Sequence, residues 1–280
     1  MAEPASNMTI GVRLSLDLAA PVWLLPVALA LQFAGPATAA DLSAREVTQS
    51  VFKAQVGVRV DFTGKDLSNL DLAGLDFKAA IMKNANLYGV DLSSANLKGA
   101  DLAGAKLDRA TVIKANFEGA NLEGATMLKP SVFSTPDFDH ADAPSFQGAN
   151  LKGARILARM DGANFSGADL SGASIGPQET TMEAGMAPST RMMGANFSGA
   201  ILAGADVRNI DFTFARFVGA NLRGAKLRDL NLTNTDFSDA DLTGADISGS
   251  NFQSAKFAGT KGLDSVIGLH RAKNFDTTQR

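Results

Sequence analysis

The 280-residue chain contains no cysteine, one tryptophan, one tyrosine and two histidines. Without cysteine there can be no disulfide staple, thiolate metal site or thiol redox chemistry. With 45% hydrophobic residues but so few large aromatics of mixed type, and with 27 glycines, the composition points to a thin, repetitive interior rather than a thick core. Neither sign of charge dominates: 26 basic and 29 acidic residues leave a formal charge of −3. The basic surplus expected of a nucleic-acid binder is lacking. Long apolar runs are lacking too, with one exception near the N-terminus.

That exception follows Arg13 and runs from Leu18 to Phe33, through Trp23, Leu24, Leu25, Val27, Leu29 and Leu31. Gly35 to Ala40 (GPATAA) then supplies small residues suited to signal peptidase, with cleavage after Ala39 or Ala40. This order predicts a secretory signal over residues 1–40 and a periplasmic or secreted mature protein. The apolar stretch contains two prolines and falls short of the ~20 residues a spanning helix needs, so no stable membrane span is expected after processing. Glu3 weakens the positive region; starting at Met8 instead of Met1 would remove it.

From Phe62 a large apolar residue returns every five positions without a slip to Met127, and again from Phe197 to Phe257. Alanine usually stands two places before this central residue and Asp or Asn just before it, as in NLKGADLAGAKL from Asn96 to Leu107. A beat of five matches neither helix nor strand periodicity and marks a solenoid. A period of twenty is nested within it. Phe197, Phe217, Phe237 and Phe257 are twenty apart, as are Leu202, Leu222 and Leu242, while Ile210, Leu230 and Ser250 replace the usual alanine at the same interval. Like residues at that interval should stack, so each coil has four five-residue sides, and the four phenylalanines and the leucines Leu202, Leu222 and Leu242 form core ladders.

On these residues the chain resembles the pentapeptide-repeat family, whose repeat is A-(D/N)-L-x-x. Matching stretches include ANLKG from Ala95, ANLEG from Ala120, ADLSG from Ala168, ANLRG from Ala220 and ADLTG from Ala240. The resemblance implies an all-β fold, a right-handed quadrilateral parallel β-helix over residues 58–260, with central residue and alanine pointing inward. Asp or Asn is missing at Ile81, Lys106, Thr111, Thr126, Ile201, Arg216, Lys226 and Lys256, which puts local turn bonding there in question. Asp and Asn elsewhere are expected to bond backbone at the corners. The 195 residues from Phe62 to Phe257 correspond to nearly ten coils, about 48 Å at strand spacing.

Ser43 and Glu46 form a capping-box pattern with Leu42 and Val47 as staple. A short N-terminal capping helix is therefore predicted within 41–57, closing the first coil with Val47, Val51 and Phe52. Residues 261–280 are read as a C-terminal cap, a short turn or helix over GLDSVIGLHR from Gly262, followed by a disordered tail from about Asn274. The beat is interrupted near 130–145 and 176–191. Met127 to Phe146 is 19 residues and Ile175 to Phe197 is 22, each close to one coil, so distorted coils with projecting loops are expected. A one-residue deletion between Ile156 and Met160 predicts a kink or bulge.

Candidate chemistry is sparse. Asp137, Asp139, His140 and Asp142 are weak metal candidates, more simply read as a solvated loop because spacing fixes no coordination geometry. Glu179 and Glu183 could make an acid pair but read as surface charge. GADLAGAK from Gly99 and GANLRGAK from Gly219 imitate a phosphate loop without its Gly-Lys-Ser/Thr, and the beat generates such gaps. Asn164, Asn196 and Asn231 match glycosylation triplets for the same reason. Met182, Met186, Met192 and Met193 read as gap-fillers at a loop base. No catalytic constellation or cofactor is expected.

The function expected is an exported, non-enzymatic structural or interaction scaffold with an unidentified protein partner. The alternative comes from the resemblance: some family members imitate DNA with an acidic rod and modulate gyrase. Residues after Ala40 retain 25 basic against 27 acidic side chains, a poor imitation of a polyanion. The resemblance also admits homodimers through the C-terminal segment.

Overall fold

The computed structural model describes residues 40–133, 140–177 and 190–275. The segment before residue 40, where a secretory signal is expected, and the residues after Phe275 lie outside the described residues. Beyond a short N-terminal helix the chain winds into a quadrilateral parallel β-helix. Rungs pair in parallel at intervals of twenty, as in Asp61 with Ile81, Asp66 with Asn86, Asp71 with Asp91 and Asp76 with Asn96. These four pairs start the four sides, numbered first to fourth here.

The corners explain the five-residue beat. After the central residue the chain turns, closed by a bond such as Lys65 N–H to the Phe62 carbonyl at 3.1 Å. The residue two places past the centre has a positive φ, for example 66° at Gly64 and 58° at Asn69, as the third position of a type II turn requires. The carboxylate or amide before the centre accepts the N–H two residues on, as from Thr63 to Asp61 at 2.8 Å. Where Asp or Asn is missing, as at Ile81 and Lys106, the side still turns and pairs with its neighbours.

The interior is filled by the central residues and the alanines before them, nearly all fully buried. Each central side chain contributes about 1.5–3 kcal/mol by burial. On the fourth side Phe117, Phe146, Phe165, Phe197, Phe217, Phe237 and Phe257 stack face to face at centroid separations of 4.8–5.3 Å. Leu202, Leu222 and Leu242 line the first side, buried to 1% or less, on rungs Ile201, Asn221 and Asp241. In the alanine slot Ser250 makes up for its polarity: its Oγ donates to Leu227 O at 2.7 Å and accepts from Leu230 N at 3.0 Å.

The second side is the most strand-like. Here β1 (Thr126–Leu128), β2 (Arg155–Leu157), β3 (Ser174–Ile175), β4 (Asp206–Arg208) and β5 (Lys226–Arg228) form one parallel sheet in that order. Its register corrects the reading of the interruptions. Met127 pairs with Ile156, Ile156 with Ile175, and Ile175 with Val207. The chain from Met127 to Phe146 therefore makes two sides, with Val132 as the intervening centre, and not a coil of four. Ile175 to Phe197 likewise makes two sides, through Met192. Each insertion leaves at one corner, between Val132 and Phe146 or between Ile175 and Met192, and the register resumes after it. Fewer coils result than the length suggested: nine rungs, from Phe62 to Leu242, line the first side. The one-residue deletion falls on the third side, where Ser131 pairs with Thr111 and Arg159 with Arg191, but no bridge joins Ser131 to Arg159 among the described residues.

The ends also differ from expectation. The capping helix α1 (Ala44–Lys53) has the capping box, with Ser43 Oγ accepting Glu46 N–H and Glu46 Oε2 accepting Ser43 N–H. Val47 and Val51 are buried, but Phe52 is 82% exposed. One residue turns a helix by about 100°, which carries Phe52 off the stripe defined by Val47 and Val51. At the other end pairing runs past residue 260: Lys261 joins Asp241, Ile267 joins Asp246 and Lys273 joins Asn251. The expected cap is thus a looser rung with a 3-10 turn at Leu269–Arg271. Asn274, expected to be disordered, bonds Asn251 at 2.7 Å, and Phe275 packs on Phe257 at 5.3 Å.

Candidate functional site

The metal candidates do not converge among the described residues. Asp137, Asp139 and the His140 side chain lie outside them. Asp142 ends the 3-10 turn His140–Asp142, is 3% exposed, and places Oδ1 3.2 Å from Lys114 Nζ. Its carbonyl accepts Lys114 N–H at 2.7 Å. Asp142 therefore pins the returning end of the first insertion to the third side. No group of three or more His, Asp or Glu able to hold a metal occurs among the described residues.

Glu179, Glu183, Met182 and Met186 also lie outside. Met192 is a fully buried centre of the third side, and Met193 is half-buried beside it. The second insertion departs at Gly176, where φ is 104° and a β-carbon would meet Arg208 O at 2.2 Å, so glycine is required.

Sequence reasoning missed a buried ion cluster between these insertions. Asp161 is 1% exposed although it occupies the first position after a centre, usually an open site. Its Oδ2 accepts from Arg191 Nε at 2.7 Å and from Arg159 Nε at 3.3 Å, and Arg191 Nη2 also reaches Oδ2. Oδ1 accepts Met193 N–H at 2.9 Å. Both arginines stand where Asp or Asn is usual, on adjacent rungs. The signal was present in the chain: RMDGANFSGA from Arg159 and RMMGANFSGA from Arg191 are nearly identical, which places them one above the other.

Further along, carboxylates are held ionised. On the second side Arg208 donates to both Asp206 oxygens at 2.6 and 2.8 Å, and this guanidinium keeps the Asp206 carboxyl below its usual range. Burial pushes Asp246 up, but bonds from Ser248 and Arg228 outweigh it and lower the group. On the first side the hydroxyl and N–H of Thr243, helped by Arg223, draw Asp241 down to about 2.

A cleft of ≈ 400 Å³ lies at the junction of α1 and the first coil, lined by residues 54–59 with Lys78 and Ala79. Its cations are engaged: Lys78 Nζ donates to Val51 O at 3.1 Å and Arg59 Nε to Ala79 O at 2.5 Å. Among the described residues no helix is long and apolar enough to cross a membrane.

A family model described as pentapeptide repeats matches in eight copies, over residues 58–93, 85–124, 145–175, 190–229 and 220–259. Solved structures similar to this chain include HetL, a pentapeptide-repeat protein involved in heterocyst differentiation regulation in the cyanobacterium Nostoc sp. strain PCC 7120. It is 19% identical over 79% of this chain and 89% of its own, with a TM-score of 0.43. Full-length QnrB1, a plasmid-mediated fluoroquinolone resistance protein, is 18% identical over 68% of this chain and 90% of its own, TM-score 0.39. A pentapeptide-repeat protein of the Arabidopsis thaliana thylakoid lumen is 30% identical over 43% of this chain and 70% of its own, TM-score 0.22. No curated protein sequence matches significantly.

Proposed function

Since the chain belongs to the pentapeptide-repeat family, we propose that it is an exported, non-enzymatic scaffold whose walls hold a protein partner. The observation that carries this reading is the division of labour in each coil. Central residues and alanines are consumed by the interior, corner carboxylates and amides by turn bonding, and the remaining outward positions are left to vary from repeat to repeat. Such a fold uses its repeated positions for rigidity and its variable ones for surface. Export is supported by Arg13, the apolar stretch from Leu18 and the small residues before Ala40. A homodimer through the C-terminal segment stays with the resemblance, and light scattering of the purified chain tests it.

The test of export and of the scaffold role is cell fractionation with N-terminal sequencing, followed by photo-crosslinking from probes placed on each of the four sides. A mature N-terminus at Ala40 or Asp41 and a crosslinked protein partner are expected. An uncleaved cytoplasmic product that slows gyrase supercoiling would replace this reading with the DNA-mimic alternative. That alternative ranks second because the charge after Ala40 is nearly balanced and exposed Lys106, Arg109, Lys129 and Arg155 make the second wall basic.

A further inference from the structure

The second side carries its cations in two different ways. On β4 and β5 they are neutralised: Arg208 and Lys226 pair with Asp206, and Arg228 with Asp246. On the rungs at and just below β1 and β2 they are not. Lys106, Arg109, Lys129 and Arg155 are all exposed, and none forms an ion pair among the described residues.

The ladder brings these four together. Lys106 bridges to Thr126 and Thr126 to Arg155, so Lys106 and Arg155 lie two rungs apart in one column. Arg109 N–H bonds Leu128 O at 2.9 Å and Lys129 N–H bonds Leu157 O at 2.7 Å, which sets Arg109 and Lys129 on adjacent rungs at the corner. Adjacent strands lie about 4.8 Å apart, so Arg109 and Lys129 on neighbouring rungs fall within a Debye length of about 8 Å at physiological salt, while Lys106 and Arg155, two rungs apart, stand about 9.6 Å from each other in the same field. Like charges on neighbouring rungs oppose folding. The single acid among them, Asp108, already accepts Leu128 N–H at 3.0 Å.

Between the two cation columns run half-buried Leu128 and Leu157, with exposed Tyr88 two rungs below Leu128. We infer that this wall docks an acidic, leucine-bearing extended segment of a protein partner. The cations match carboxylates, and the Leu128–Leu157 strip needs an apolar counterpart that a sugar–phosphate polymer does not offer. The inference rests on the scaffold reading and supplies the chemistry of its partner.

The test is fluorescence anisotropy with the full chain and a fluorescein-labelled peptide of repeated Glu-Glu-Leu, beside a Glu-Glu-Ser peptide and a short DNA duplex. The Glu-Glu-Leu peptide is expected to bind best, more weakly as salt rises, and about tenfold or more less tightly to K106E/R109E/K129E/R155E. L128S/L157S should narrow the gap between the two peptides. R216E/K256E, on the fourth side, should bind as wild type does. Unchanged binding by the fourfold variant overturns the inference, as does DNA binding equal to that of the peptide. Thermal melting checks that the variants fold, and K106Q/R155Q serves if charge reversal prevents folding. The crosslinking experiment separates the two levels. A partner captured equally by wild type and fourfold variant sinks this wall but leaves the scaffold standing, whereas no partner from any side sinks both.

Discussion

Between Phe62 and Val132 the coils are tied along the outside by amides: Asn86 to Asp66, Asn96 to Asp76, Asn116 to Asn96 and Asn121 to Asp101, at 3.0–3.3 Å. From Met192 onward the dominant device lies within the corner. Thr213, Ser238, Thr243 and Ser248 hydroxyls donate to the Asp two residues earlier at 2.5–2.6 Å. The interior differs in parallel. Leu97 separates Phe77 from Phe117 in the earlier run, whereas every fourth-side centre of the later run is phenylalanine. Two solutions to one backbone plan thus coexist. The earlier run links coil to coil through polar side chains. The later run relies on stacked rings and on ionised carboxylates that stiffen the corners at Asp211, Asp236, Asp241 and Asp246.

The largest effect expected is that of Phe217→Ala, about 3–5 kcal/mol of lost stability. It removes two stacked ring contacts as well as volume, so it should exceed Leu97→Ala, which removes none. Equal urea midpoints for the two variants would erase the distinction between runs.

Next comes Asp161→Asn, between the runs. Stripping the carboxylate from two arginines costs about 2–3 kcal/mol, below the ~3–5 kcal/mol of fully buried pairs because both guanidiniums are partly exposed. Urea unfolding checks it, and adding Arg159→Met and Arg191→Met should recover part of the loss.

Acid should then weigh more on the later run, although the Thr63 hydroxyl also lowers Asp61 at the start of the earlier one. Asp206, Asp236, Asp241 and Asp246 have carboxyls lowered below their usual values, Asp241 to about 2. A lowered folded-state pKa gives stability that is complete above the ordinary carboxylate value and lost as pH falls through the folded one. Protection from hydrogen exchange should therefore fade between about pH 4 and pH 2 on these rungs, less steeply in Asp241→Asn. An Asp241→Asn acid profile superimposable on wild type would remove this part of the contrast.

The smallest effect is a gain. Lys129→Glu places a carboxylate beside Arg109 on the next rung and should stabilise by about 0.2–1 kcal/mol, read by thermal melting.

Much of the architecture was legible in the chain. A spacing of twenty between Phe197, Phe217, Phe237 and Phe257 suffices to imply square coils, because only stacking rewards such regularity. The corner chemistry of Asp and Asn followed from their side-chain reach. The insertions were misjudged because their lengths, 19 and 22 between recognised centres, coincide with one coil. Val132 and Met192 are the centres that resolve the coincidence, and neither stands in an A-(D/N)-L setting. Asp161 was missed for a related reason. A repeat template treats the residue after the centre as solvent-facing, and only the arginines one rung apart bring it under cover. Phe52 was misplaced by treating a hydrophobic residue next to Val51 as though it shared its stripe.

The terminal rungs bear on solubility. The first presents Asp61, Asp66, Asp71 and Asp76 on its four sides, beneath α1, and Asp66 N–H is already taken by Asp41 at 3.0 Å. The last carries Lys256, Lys261 and Lys273 on three sides and exposed Ile267 on the other, with Phe275 packed over Phe257. Open strand edges invite another chain to extend the ladder, and lysine is a common deterrent. With a helix over one end and lysines on three sides of the other, both ends carry features that discourage a self-complementary architecture from growing into fibres.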